Sequence, residues 1–158
     1  ISSGTGFLNE ELDWEKERDT LAVNVTGFAR AAVFFMTQFA RQGGGHLAGI
    51  SSIAALRGSG TAPAYAASKA FVSNYLEGMR LWAARSGARI TVTDIMPGFV
   101  DTDMAKGEGL FWVASPEEAA RQILRAVKKG KRLVYITRRW ALVAWALRRL
   151  PEWALRRF

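Results

Sequence analysis

The chain has 158 residues, 49% of them hydrophobic, with 15 Gly, 4 Pro, no Cys and a formal charge of +8. This composition suits one compact α/β domain and excludes a disulfide-stapled scaffold, a thiolate metal centre and a low-complexity chain. The absence of cysteine also fits a reducing, cytoplasmic setting. A lone histidine, His46, cannot build a metal site, so no metal is assigned. Charge is uneven: residues 121–158 hold 12 Lys/Arg against one acid, Glu152, or +11, while residues 1–120 sum to −3. The basicity belongs to the tail and not to the body, so nucleic acid is not an expected partner.

The elements follow in chain order. Ser2-Ser3-Gly4-Thr5-Gly6 reads as a turn leaving a strand that ends at Ile1. Residues 13–41 carry a helical pattern, with Asp13 as N-cap and Leu21, Val25, Phe28, Ala32 and Phe35 on one face. Gly43-Gly44-Gly45 caps that helix, and His46 to Ser51 is a short apolar strand. A loop with Gly58-Ser59-Gly60 leads to a helix over 64–85, closed by Gly87. Arg89 to Met96 alternates as a strand and stops at Pro97-Gly98. Ser115-Pro116-Glu117-Glu118 starts a helix that runs to about Lys129, and Leu133 to Ile136 is the last strand. Strands alternating with helices predict a parallel sheet with right-handed crossovers over residues 1–137.

Residues 138–158 form a separate, basic, Trp-rich helical tail. Its apolar run, Trp140 to Leu147, is far shorter than the roughly 20 residues that span a bilayer. Arginine pairs at 138–139, 148–149 and 156–157 bracket Trp140, Trp145 and Trp153, the composition of a segment at a membrane surface. Pro151 should break the helix. A tail docked on the body is the other reading of the same residues.

The chemistry-bearing residues are Tyr65 and Lys69, four apart, and Ser52 thirteen positions upstream. Residues four apart share a helical face, and an ammonium one turn from a phenol favours the phenolate. Such a phenol serves as an acid/base near neutrality, and a serine hydroxyl at a strand end can bond the oxygen that gains or loses the proton. Ser51 competes with Ser52, since strand alternation places the two on opposite faces. Asn24 is an unusual residue for an apolar helix interior.

Residues 46–80, with Asn24-Val25-Thr26-Gly27 upstream and Pro97-Gly98-Phe99-Val100-Asp101-Thr102 downstream, resemble the short-chain dehydrogenase/reductase family. The resemblance implies a Rossmann-like doubly wound parallel sheet, here its C-terminal portion. It selects Ser52 over Ser51 and makes Asn24, Ser52, Tyr65 and Lys69 catalytic. NAD or NADP would be touched by Ser2, Gly4, Tyr65, Lys69, Pro97, Gly98, Val100 and Thr102, and a carbonyl or secondary alcohol by Ser52, Tyr65 and Phe99. The backbone carbonyl of Asn24 would hold a water linked to Lys69. The family's Gly-rich strand–turn–helix has no counterpart here, which predicts a fragment short by about 90 residues, or three βα units. Taken alone, it should bind cofactor weakly and turn nothing over.

Ile53, Ala54, Phe99, Met104, Leu110, Phe111 and Trp112 are expected near the pocket, and their apolar character favours a hydrophobic substrate. A homodimer through the two long helices is expected, on apolar residues such as Phe34, Phe35, Tyr75 and Leu76. The competing function is an inactive interaction protein on the same fold; a peripheral membrane location depends on the tail.

Overall fold

Asp13 opens the first helix by accepting the N–H of Glu15 on its side chain. In the computed structural model, which describes residues 1–2, 4–102 and 111–155, the chain then changes its winding twice. Helix α1 (Trp14–Leu21) passes into a π-helical turn (Ala22–Gly27) and on into α2 (Phe28–Arg41). The buried positions are Thr20, Asn24, Phe28, Ala32 and Met36, which recur every four residues. That interval fits a locally widened helix, and it corrects the expected face: Phe35 points outward and Met36 takes its place inside. The stretch Trp14–Arg41 is long and apolar enough to cross a membrane, yet its Phe28, Ala32 and Met36 belong to the core.

Of the three consecutive glycines 43–45, Gly43 adopts a left-handed φ, +83°, and closes α2. Gly44 and Gly45 already belong to β1 (Gly44–Ile50), which therefore starts before His46 and ends before Ser51. A side chain on Gly45 would overlap the Phe39 ring, so this close approach needs glycine. Strands β2 (Arg89–Pro97) and β3 (Leu133–Ile136) complete a parallel sheet in the order β1-β2-β3. Gly44 faces Arg89 and Ile50 faces Ile95, while Asp94 to Pro97 align with Leu133 to Ile136. On the outer edge of β1, the Ile1 carbonyl accepts the N–H of Ile50 at 3.2 Å.

Helices cover both faces. On one, α2 and α3 (Pro63–Arg85) bury Phe28, Met36, Val72 and Leu76 against Leu47 and Val92. On the other, α4 (Pro116–Lys128) sets Ala119 against Ile95 and Ile136, its Ser115 cap accepting the N–H of Glu118. Leu76 is fully buried and therefore serves the core, a correction to its expected dimer role; Tyr75, half-buried, packs against that core and stacks on Phe71.

The start of α3 is capped from elsewhere. Ala62 offers no side-chain cap. Glu17 of α1 accepts the N–H of Ala64 at 3.0 Å on one carboxylate oxygen, and the other takes the amide of buried Asn9 at 2.7 Å. The tail forms α5 (Trp140–Leu147) and a short α6 (Glu152–Leu155). Trp140 and Ala144 are buried, and a side chain at Gly98 would overlap the Trp140 indole. The Leu150 carbonyl accepts from the Arg57 guanidinium, so the tail is tied to the body at two points.

Candidate active site

The parallel strands β1 and β2 end side by side, the Ser51 N–H donating to the Ile95 carbonyl at 2.8 Å. Open α/β sheets place ligands outside such carboxyl ends. Ser52 follows at once, and its backbone turns into a 3₁₀ segment over Ile53–Leu56 whose Ala54 N–H bonds the Ser52 hydroxyl at 3.2 Å. Tyr65 stands in the first turn of α3, half-buried, with the Ser52 hydroxyl near enough to lower its phenol. Lys69 lies one turn further on, 5% exposed, and donates to the Ile50 carbonyl at 3.2 Å.

The electrostatics differ from the sequence expectation. Burial pushes the Tyr65 phenol above its ordinary value of 10.0, and the Ser52 hydroxyl draws it part of the way back. Lys69 is itself lowered by burial, and its Nζ lies 5.7 Å from the Tyr65 ring centroid while aimed at Ile50. Desolvation outweighs the neighbouring cation, so the phenol stays protonated at neutral pH in this arrangement.

Asn24 joins the same cluster through its side chain. Its Oδ1 accepts the Thr5 N–H at 2.9 Å, and its Nδ2 donates to the Thr5 carbonyl at 2.7 Å and to Ser68 Oγ at 2.9 Å. It sits in the π-helical turn, a device common at functional sites. Gly4 touches the cluster too: a Cβ there would come within 3.0 Å of Lys69 Nζ. Gly6 was not anticipated, although a glycine two residues past Gly4 was visible; a Cβ there would meet the Tyr65 ring at 2.5 Å. Ser2 is exposed.

Downstream, Pro97 ends β2 and Gly98 donates its N–H to the Ile136 carbonyl at 2.7 Å. Val100 pairs with Ala114, and the exposed Thr102 hydroxyl donates to the Val100 carbonyl at 3.3 Å. Phe99 lies 5.3 Å from Trp140 and 5.9 Å from Phe111, and Phe111 stacks on Trp140 at 5.1 Å. Trp112 completes this aromatic wall, with a left-handed φ of +52°. Ile53 and Ala54 are half-buried beside Ser52. Met104 and Leu110, also expected at the pocket, lie outside the described residues. A surface hollow of about 650 Å³ lies at the opposite end of the sheet among Arg80, Arg89 and Arg132. We place the chemistry by the converging side chains and not by that open hollow.

Residues 3–110 match the family described as short chain dehydrogenase. The chain belongs to that family. An uncharacterized oxidoreductase of Myxococcus xanthus is 39% identical over 95 residues, covering 60% of this chain and 37% of its own length. The 2,3-dihydro-2,3-dihydroxybenzoate dehydrogenase of Escherichia coli is 37% identical over 117 residues, covering 74% and 44%. A short-chain dehydrogenase from Burkholderia cenocepacia, solved in complex with NADP, superposes with a TM-score of 0.73 at 27% identity, covering 86% of this chain and 59% of that one. One from Sphingobium yanoikuyae, solved in complex with NADPH, gives 0.73 at 21% identity, covering 96% and 63%. This short-chain dehydrogenase chain thus spans less than half the length of those two curated relatives, and its sheet is the Rossmann-like one expected.

Proposed function

We propose that this chain carries the proton-transfer and nicotinamide-facing part of an oxidoreductase that interconverts a carbonyl and a secondary alcohol. The observation that carries the reading is the convergence of Ser52, Tyr65 and Lys69 at the carboxyl end of a parallel sheet, with Lys69 one turn from Tyr65 and bonded to the Ile50 carbonyl. Ser52 orients and polarises the carbonyl oxygen. Tyr65 Oη gives its proton to that oxygen, or removes it in the oxidative direction. At neutral pH the phenol holds its proton, the form that reduction needs, while burial makes it a weaker acid that Ser52 partly restores.

The donor set fits NAD or NADP. Lys69 spends one N–H on Ile50, and the bare Gly4 leaves its ammonium uncrowded. Its remaining N–H groups suit ribose hydroxyls, while the turn at Pro97, Gly98 and Val100 and the Thr102 hydroxyl suit the nicotinamide end. Ser2 and Gly4 would flank the cofactor from the other side. The cofactor supplies or accepts the hydride when bound. Asn24 extends the proton relay behind Lys69 through its backbone carbonyl, its side chain being committed to Thr5 and Ser68. Phe99, Phe111 and Trp112 give the substrate side an apolar wall, which suits a hydrophobic substrate.

Two partners accompany this reading. Val33, Phe34 and Phe35 on α2 and Leu81 and Trp82 on α3 are exposed, and an isologous dimer would cover them. The outer face of α5 carries Leu142 and Trp145, 69% and 61% exposed, with Arg138 just before the helix and Arg149 just after it, over the Trp145 ring. Docking through Trp140 leaves that face free for an anionic membrane surface.

The deciding experiment is Tyr65→Phe in the active enzyme, followed by absorbance of the reduced nicotinamide. Turnover should fall roughly 100- to 10,000-fold with cofactor affinity kept. Parental rates in Tyr65→Phe would overturn the acid/base assignment, and an unmutated enzyme that turns over no carbonyl or alcohol would favour an interaction protein on this fold.

A further inference from the structure

Helix α3 presents Tyr65, Lys69 and Ser73 at four-residue intervals, hence on one face. Three consecutive residues at the end of β1 are tied to that face. Ile50 receives Lys69 through its carbonyl, and the Ser52 hydroxyl lies near enough to Tyr65 to lower its phenol. Ser51 lies between them and reaches the helix through a third element. Its hydroxyl donates to Asp94 Oδ1 at 2.5 Å, and Ser73 Oγ donates to Asp94 Oδ2 at 2.6 Å.

Asp94 is 1% exposed, in the middle of β2, with its own N–H on the Arg132 carbonyl at 2.9 Å. Among the described residues, no cationic side chain pairs with its carboxylate; Lys69, the closest basic residue in sequence to Ser73 on the α3 face, is turned to Ile50 instead. A buried carboxylate is costly unless donors fill its lone pairs, and here two hydroxyls from two different elements converge on it. An amide in its place accepts at one atom only, so one serine would have to reverse its hydrogen bond.

We propose that Asp94 is a positioning residue: by bridging Ser51 to Ser73 it fixes the end of β1 against α3 and thereby sets the approach of Ser52 to Tyr65. The proposal rests on Tyr65 as the acid/base. It gives Ser51, beside the catalytic serine, a separate task.

The test compares Ser73→Ala, Asp94→Asn and Ser73→Thr with Tyr65→Phe in the active enzyme, recording kcat, KM for the cofactor, melting temperature and the pH profile of kcat. Ser73→Ala should lower kcat about ten- to a hundredfold, with KM nearly unchanged. The alkaline midpoint of its pH profile should move upward, because the Ser52 contact that holds the phenol down is loosened. Asp94→Asn should behave alike, and Ser73→Thr, which keeps the hydroxyl, should restore both readouts. A lower melting temperature with kcat and midpoint unmoved in Ser73→Ala and Asp94→Asn would make Asp94 purely structural and overturn the proposal. Retained turnover in Tyr65→Phe would overturn the acid/base reading as well, which tells the two failures apart.

Discussion

Gly6 lacks a side chain where the Tyr65 ring comes closest to the backbone, with 2.5 Å left for a Cβ. Gly6→Ala should therefore tilt the phenol away from Ser52 and lower kcat about tenfold or more, while circular dichroism stays parental. Ser52→Ala removes a hydroxyl that draws the Tyr65 phenol down. Its pH profile should shift to higher pH in either reaction direction, because reduction needs the protonated phenol and oxidation the phenolate. A Ser52→Ala profile coincident with the parent would separate the two residues. The residue types were readable in advance; the phenol's raised affinity for its proton was not, since desolvation depends on what packs around Tyr65.

At the level of elements, β1 and α5 each offer a test. His46 on β1 shares a 2.8 Å hydrogen bond with Thr93 Oγ1, and burial lowers it below its ordinary 6.5. As pH falls, the unfolded chain takes up the proton first, so the stability tied to neutral His46 is present above about pH 6.5 and is lost as pH drops through its lowered native value. His46→Gln should flatten the fall in melting temperature between neutral and mildly acidic buffer. For α5, Trp140→Ala should cost about 3–5 kcal/mol by chemical denaturation. Gly98→Ala should be severe alone and mild in the Trp140→Ala background, since the added methyl then enters the vacated space. Strand and helix positions followed from periodicity and punctuation, down to Leu133–Ile136. The π-helical turn did not, because a widened turn displaces the inward face by one residue without any change in composition.

At the level of the molecule, the tail serves two surfaces at once. Its Trp140 face closes on the aromatic wall, and its Leu142 and Trp145 face is open. Co-sedimentation with phosphatidylserine vesicles should be lost at high salt and weakened by Trp145→Ser, whereas uncharged vesicles should retain little protein. Binding indifferent to both would remove the membrane from the account. Light scattering at micromolar concentration should give a dimer, and Phe34→Glu should shift it to monomer. What the sequence could not display are joints between distant segments. Asp94 with Ser51 and Ser73, or Gly98 under Trp140, are contacts across the sheet that no local pattern encodes.

The borrowed cap on α3 has a consequence for order in time. Tyr65 lies in the first turn of that helix, and the carboxylate that satisfies this turn belongs to Glu17, 47 positions upstream of Ala64. Helix starts without a cap fray most readily. The turn that holds Tyr65 thus becomes ordered only once α1 has docked, and it is the first part of α3 to open when α1 lifts away. Hydrogen exchange should report the amides of Ala64 and Tyr65 as opening together with α1 and well before the middle of α3, and Glu17→Gln should hasten that opening without touching the exchange of Val72 or Leu76.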